Sequence, residues 1–578
     1  MNLWNRRNEQ QNNLRNVLRE KKNKVYSFFE VCENVQKMLN DYTGSSMLDM
    51  ELSEELRKNQ EEHRRVVSAS IRTCCAGNYG AKETVKEIIK DYLLDDLHLD
   101  KNGICHLVSF EHPERMSAWE LCESMIYYMD KQEEGKGFGL LCEMYQLGKV
   151  QEERRVGYFI AEEAIRKTYQ IVKPEFSFMD QINIVSQLIF AKTVGLGVID
   201  TLNQQKGYIE EIQLGMNGRA EQRYDYKEEL SGRNKTASFS RDGVHILVKG
   251  NTIWLQYLSF GTEEELQRVL RNLIKDSSQG ELTKNHPMIV VDTIDGRRVS
   301  VSRPPMTDAW VGLIRKFDTV EEVSLEQLYQ NVPEAELLVG LLRQLVRSGR
   351  NIAITGEMAS GKTTLFRACL SETRKDLNIR VIEADSFELN VRGFLPKSNS
   401  MTMRISDRTP AEEVLAFARK TTGQIFAVGE INSASVANVA MDLSKIASQL
   451  FFSAHYVTTE HMIADFVNAK LCVGGYSEER LAEMDVVRCL GFDVHLKTRQ
   501  GKRYVQYINE VIPVFDKTKG ENKTYQIRQI YYYDEEQEKG ILVSAPWELS
   551  YEKAKQGLSK EDYIEFCNFF EGKLTVCL

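Results

Sequence analysis

No C-x-x-C pair occurs among the eleven cysteines of this 578-residue chain, although Cys74 and Cys75 are adjacent. That lack argues against a zinc ribbon or a thioredoxin-like redox motif, and free thiols in a reducing compartment are the expectation. His245, His286 and His495 show no metal-ligand spacing and are read as structural. No apolar run approaches the roughly 18–20 residues that a membrane span needs. The first residues contain no apolar stretch of the kind that drives secretion, so they are not read as a signal peptide. A formal net charge of −9 argues against a general nucleic-acid-binding surface, and no nucleic acid is expected as a partner. Only ten prolines are present, and 42% hydrophobic with 28% charged residues is ordinary soluble-protein composition.

The chain is too long for one core and carries three changes of texture. Residues 1–175 read as a mainly helical region, rich in Glu, Lys, Leu and Arg. Its first 25 residues hold seven Lys/Arg against two Glu, which reads as a solvated helix face or as a basic arm. Residues 176–320 read as an α+β domain. A helical stretch from Met179 to Leu202 precedes strand-like runs at Gly207–Leu214, Val244–Lys249, Thr252–Leu258 and Met288–Asp292, with an amphipathic helix over Glu263–Lys275. A short acidic linker, Asp318–Val323, follows. Residues 325–515 alternate helices with apolar runs at Ile352–Thr355, Ile379–Ile382, Gln424–Val428 and Leu450–Ser453. That alternation predicts a parallel sheet covered on both faces. Residues 516–578 form a C-terminal strand and helix extension.

The first of those apolar runs enters Gly356-Glu-Met-Ala-Ser-Gly361-Lys362-Thr363, and a helix-forming stretch follows. This order fits a phosphate-binding P-loop, in which glycines let backbone N–H groups curl around phosphate oxygens. Lys362 would reach the outer phosphates and the Thr363 hydroxyl would meet Mg²⁺. Ser360 and Thr364 flank them, and the helix adds the positive end of its dipole. The plainer alternative is a glycine turn between strand and helix. The other predicted strands also end in polar groups: Glu383 to Glu388, Gly429-Glu430, and Ala454-His455. In a mostly parallel sheet such strand ends are where a site assembles.

These boxes resemble those of the type II/IV secretion ATPase superfamily, and most closely the CpaF-type ATPases of Tad/Flp pilus assembly. Ala384-Asp-Ser-Phe-Glu388-Leu389 is similar to the family's IEDTAEL box, Phe426–Ser433 to its Walker B, and Phe452–Tyr456 to its His box. Arg404-Ile-Ser-Asp-Arg408 is similar to an arginine pair. Upstream, Glu210–Gly218, Gly296–Pro305 and Leu313-Ile-Arg315-Lys316-Phe317 also resemble family segments. The likeness spans about residues 180–515. It implies a RecA-like P-loop ATPase domain preceded by a smaller α+β domain, while the mainly helical residues 1–175 lie outside it. It further implies ATP and Mg²⁺ as cofactors, with the metal held through Thr363 and Glu430.

By the same resemblance Glu388 orients and deprotonates the attacking water. His455 senses the γ-phosphate or links the site to a moving helix, and Arg315, Arg404 and Arg408 are candidates to clamp phosphates, from the module before the linker or from a neighbouring subunit. Plainer roles stay open for Glu430 as a buried acceptor, for His455 as a structural group, and for both Arg404 and Arg408 on a solvated face. The implied assembly is a homo-hexameric ring under an integral membrane platform protein. It would be cytoplasmic, peripheral to the inner face of a bacterial membrane through its partners, and would drive pilin or protein export. The alternatives are a type IV secretion-like translocation ATPase and an ATP-binding regulatory subunit with little turnover. The chain departs from the family at Ala384, Asn432, Lys445–Ser448 and Val457, where an acid, an arginine, a glycine-rich turn and an asparagine are usual. Slow turnover is the expectation that follows.

Overall fold

The computed structural model describes residues 25–43, 54–148, 157–217, 242–275, 281–317, 324–330, 332, 335–384, 388–406, 408–473, 476, 478–499, 502–514 and 524–574. Most of the basic arm, the Asp318–Val323 linker, Gly218 and the box residues Asp385–Phe387 lie outside them. The chain divides into two compact units, residues 1–319 and 320–578.

In the first unit, polar residues placed just ahead of apolar stretches start the helices. Ser117 and Ser177 cap the helices Ala118–Asp130 and Phe178–Thr193 reciprocally with Glu120 and Asp180. Thr262 caps Glu263–Leu273, whose first turn carries three glutamates against the positive end of the helix dipole. That helix turns Leu266, Val269, Leu270 and Leu273 inward. A Cβ added at Gly312 would lie only 2.3 Å from Leu270, so the glycine admits the helix against the sheet.

The seven strands are β1 (Tyr158–Ile160), β2 (Glu211–Met216), β3 (Gly243–Val248), β4 (Asn251–Leu255), β5 (Met288–Asp292), β6 (Arg298–Ser302) and β7 (Val311–Arg315). They run in the order β1-β4-β3-β2-β7-β6-β5, antiparallel except for β1 beside β4. One apolar core extends from Tyr26 to Ile314 and takes in helices on both sides of residue 175.

A buried ion pair lies within this helical layer. Lys82 contacts Asp200, and each side chain is under 5% exposed. Gln187 and the backbone N–H of Leu196 also donate to the carboxylate, at 2.8 and 3.0 Å. Burial alone would raise the Asp200 pKa, but Lys82 and these donors hold it below the usual range.

The second unit contains β8 (Ile352–Gly356), β9 (Ile379–Ala384), β10 (Ser400–Ile405), β11 (Ile425–Ile431), β12 (Gln449–Ala454), β13 (Phe492–Arg499), β14 (Lys502–Pro513), β15 (Tyr525–Asp534) and β16 (Lys539–Leu542). Their order is β10-β9-β11-β12-β8-β13-β14-β15-β16. The strands from β10 to β13 are parallel, and the last three are added antiparallel. β12 separates the P-loop strand β8 from β11, which bears Glu430. This is the RecA-like arrangement, and the α/β fold class expected from the sequence holds. Ile352 and Ile354 join one apolar core while Ala353 joins the other, so the period-2 alternation of a strand feeds two covered faces. The terminal helix Lys560–Leu574 adds Phe566 and Phe570 to the first of these cores.

Removing one partner of the buried pair leaves the other charge uncompensated. Lys82→Met is expected to cost about 3–5 kcal/mol, a fall in Tm of roughly 10 °C. The double variant Lys82→Met/Asp200→Leu is expected to recover part of that loss. Thermal denaturation of the three proteins checks both outcomes.

Candidate functional site

β8 is buried along its whole length and leaves the sheet at Gly356. There φ is +139°, and a Cβ would come within 2.3 Å of the Leu496 carbonyl oxygen, so a side chain at this position would collide with β13. Gly361 is the N-cap of the helix Lys362–Ser371 with φ of +96°, and no capping side chain takes the first-turn N–H groups. A helix end of this kind attracts anions. Ala359 also adopts a left-handed φ, +58°, a strained conformation for a residue with a Cβ. Thr363 and Thr364 sit half-buried in the first helical turn. The Ser360 side chain is fully buried, and its Oγ has no hydrogen-bond partner.

The Lys362 ammonium is nearly buried at the centre of the loop. It donates to the carbonyls of Gly356 and Glu357 at 3.0 and 2.7 Å and lies 3.0 Å from His455 Nδ1. An ammonium has only donors, so Nδ1 must accept. His455 Nε2 then carries the proton and points it at Glu430 Oε1, 2.8 Å away. One imidazole thus joins the P-loop lysine to the acid two strands over. The pairing of β11 with β12 shifts register between Val428 and Ile431, beside which Glu430 lies. Ser453 Oγ donates to the Gly429 carbonyl at 2.5 Å and fixes this bend.

Next to these strands lies a second acidic position. Glu383 at the end of β9 accepts from the Leu389 N–H at 2.7 Å, while its other oxygen has no partner. Arg367, from the helix after the P-loop, donates to the carbonyls of Leu389 and Glu388 at 3.0 and 2.5 Å. Glu383 and Arg367 therefore grip the backbone on which the half-buried Glu388 sits. Arg367 was not singled out from the sequence because it belongs to no box. Its position one helical turn beyond the P-loop threonines was the available signal. Burial, aided by the charge of Glu388, pushes the Glu383 pKa from 4.5 to about 7 against the pull of the Leu389 N–H and Arg367.

Arg404 on β10 faces Glu383 in strand register, yet both Arg404 and Arg408 are exposed. Arg315 ends β7 in the first unit and is exposed there. The second unit thus brings Lys362, His455 and Glu430 into one hydrogen-bonded chain, with Ser360, Thr363 and Thr364 beside it.

Behind the loop a polar network ties β8 to the helix after His455. Thr355 and Thr459 donate to the two oxygens of the buried Asp493, at 2.5 and 2.6 Å. His495 stacks on Tyr507, ring centroids 4.6 Å apart, and its Nδ1 is 2.9 Å from the Thr355 hydroxyl. Burial and then the charges of Lys362 and Lys497 push the His495 pKa down to about 4, which keeps the ring neutral. The Thr363 hydroxyl and the Glu430 carboxylate are hard oxygen donors of the kind Mg²⁺ takes. No group of three His, Cys, Asp or Glu among the described residues forms a metal cage by itself. A cation completed by phosphate oxygens and water fits that donor set.

Glu383 gives the unit a pH dependence of defined sign. Its folded pKa lies above its unfolded one, so its contribution to stability is complete below about pH 4.5 and is lost as pH rises to about 7. Across that window the wild type is expected to lose stability, on the order of 3 kcal/mol, relative to Glu383→Gln. Urea denaturation of both proteins at pH 4.5 and 8 measures the difference.

No protein-family model matches the chain. An uncharacterised protein of Bacillus anthracis is 20% identical over 376 residues, 61% of this chain and 77% of that one. Among solved structures, the VirB11 ATPase of the Brucella suis type IV secretion system, in complex with sulphate, is similar at 18% identity and a TM-score of 0.27. The match covers 52% of this chain and 89% of VirB11. The Legionella pneumophila ATPase DotB is similar at 12% and 0.35, over 62% of this chain and 91% of its own. The pilus retraction motor PilT with bound ADP is similar at 12% and 0.35, over 62% and 93%. At these scores the likeness adds nothing to the case made by the strand order and the P-loop.

Proposed function

We propose that the chain is an ATP-binding and ATP-hydrolysing ring motor of a secretion or pilus-assembly system, of the Tad/Flp type that its sequence boxes resemble. The observation that carries this reading is the hydrogen-bonded chain Lys362–His455–Glu430, set at the mouth of a P-loop within a RecA-like sheet. ATP phosphates entering the loop would take over the ammonium donors that now serve Gly356, Glu357 and His455. His455, relieved of Lys362, would keep its hold on Glu430 and report the occupied state along its own strand and the helix Thr459–Cys472. Mg²⁺ would arrive with the nucleotide and be held through Thr363 and Glu430, supplying charge neutralisation at the phosphates. Glu388, gripped through Arg367 and Glu383, would set the attacking water.

A homo-hexameric ring seated under a membrane platform protein belongs to the same proposal, as do phosphate clamps from Arg315, Arg404 and Arg408. All three arginines are exposed within their own units. Among the described residues no helix is long and apolar enough to cross a membrane, which is compatible with attachment through partners. The departures at Ala384 and Asn432 support the second reading, an ATP-binding subunit with little turnover.

Lys362→Ala is expected to abolish ATP binding. Glu388→Gln is expected to retain ATP while turnover falls by roughly a hundredfold or more. Equilibrium binding and phosphate release measure the two effects. An unchanged low rate in Glu388→Gln would leave the regulatory-subunit reading in place. Sedimentation with ATP and Mg²⁺ tests the ring separately, and a persistent monomer at high concentration sinks it.

A further inference from the structure

Glu430 and His455 occupy one flank of the P-loop strand. Glu430 lies on β11 and His455 follows β12, both to one side of β8. On the opposite side β13 pairs with β8 and β14 pairs with β13. Lys362 and Glu430 mark the outer-phosphate end, so the α-phosphate and nucleoside of a bound nucleotide run towards β13 and β14.

Of the cations on that flank, Arg503 is the one whose stem meets the loop. Arg503 is the second residue of β14, at the end of the β13–β14 hairpin that lies level with the loop. A Cβ placed on Gly361 would lie 3.5 Å from Arg503 Cδ, so the arginine stem passes directly beside the N-cap whose N–H groups face the phosphates. Two buried hydroxyls without hydrogen-bond partners belong to the same neighbourhood. Ser360 Oγ precedes that N-cap, and Thr498 Oγ1 is on the β13 residue directly opposite Arg503. Cross-strand neighbours share a face of the sheet, so Thr498 and Arg503 point the same way. A buried hydroxyl without a protein partner calls for one from a ligand, an ion or water.

Resting on the nucleotide-binding reading above, we infer that Arg503 is a nucleotide-binding residue that grips the α-phosphate end. It serves the flank opposite Lys362, His455 and Glu430. The guanidinium provides the forked donors suited to phosphate, and the chain supplies this cation from its own P-loop unit rather than from a neighbour.

Equilibrium binding of ATP and of ADP to the full chain tests this, with Lys362→Ala as the reference. Arg503→Ala is expected to weaken ATP and ADP alike, by roughly tenfold or more. Arg503→Lys should restore part of the loss. Weakening of ATP alone would place the arginine on the γ-phosphate and overturn the assignment. Unchanged binding of both nucleotides, with Lys362→Ala still defective, overturns the inference and leaves the proposed function standing. A wild type that binds neither nucleotide defeats the nucleotide site itself, and this inference with it. Should Arg503→Ala fail to fold, Arg503→Gln carries the same comparison.

Discussion

A lysine ammonium that is almost wholly removed from water must be surrounded by acceptors, and the second unit is arranged to meet that requirement at Lys362. Two acceptors are carbonyls of its own loop, which exist only because Gly356 turns the chain where a side chain would strike β13. The third is His455, brought by a different strand. Accepting at one ring nitrogen obliges the imidazole to donate from the other, and that proton fixes Glu430. Charge at the loop is thereby transmitted to the acid two strands away through one neutral ring, whose tautomer is set by the lysine rather than by solvent.

The same economy governs the supporting groups. Arg367 and Glu383 hold the backbone around Glu388 from below, one by donating to carbonyls and the other by accepting an N–H. Asp493 joins Thr355, at the base of the P-loop, to Thr459, at the start of the helix after His455. A displacement of the loop is therefore felt at that helix through hydrogen bonds as well as through packing. This polar layer is buried, so a half-satisfied member is costly and the arrangement is specific. Glu383 Oε2 and the Ser360, Thr498 and Tyr507 hydroxyls are among the atoms of this region left without a protein partner.

Much of this was legible in the residues. The P-loop, the parallel strands ending in Glu383, Gly429-Glu430 and Ala454-His455, and the helix over Glu263–Leu273 all follow from local periodicity and turn chemistry. Less legible are β1, a three-residue strand inside a helical texture, and β6 and β7, whose residues carry a family likeness but little strand periodicity. A strand so short carries almost no periodic signal, and it forms because β4 offers it a free edge. Arg367 and Arg503 carry no local signal for a related reason. An isolated arginine on a helix or a strand is chemically silent until the fold decides what lies opposite it.

The sequence by itself determined the glycine-bounded loop between β8 and its helix, because the glycines act through backbone geometry that is set within eight neighbouring residues. It also determined the alternation of buried strands with helices that makes the sheet parallel. Only the tertiary structure decided which polar groups meet. His455 lies 93 residues from Lys362, Asp493 lies 138 from Thr355, and Arg503 lies two strands from the loop that it flanks. Those meetings depend on strand order and register. Both are fixed by the packing of whole faces, which no local stretch of sequence contains.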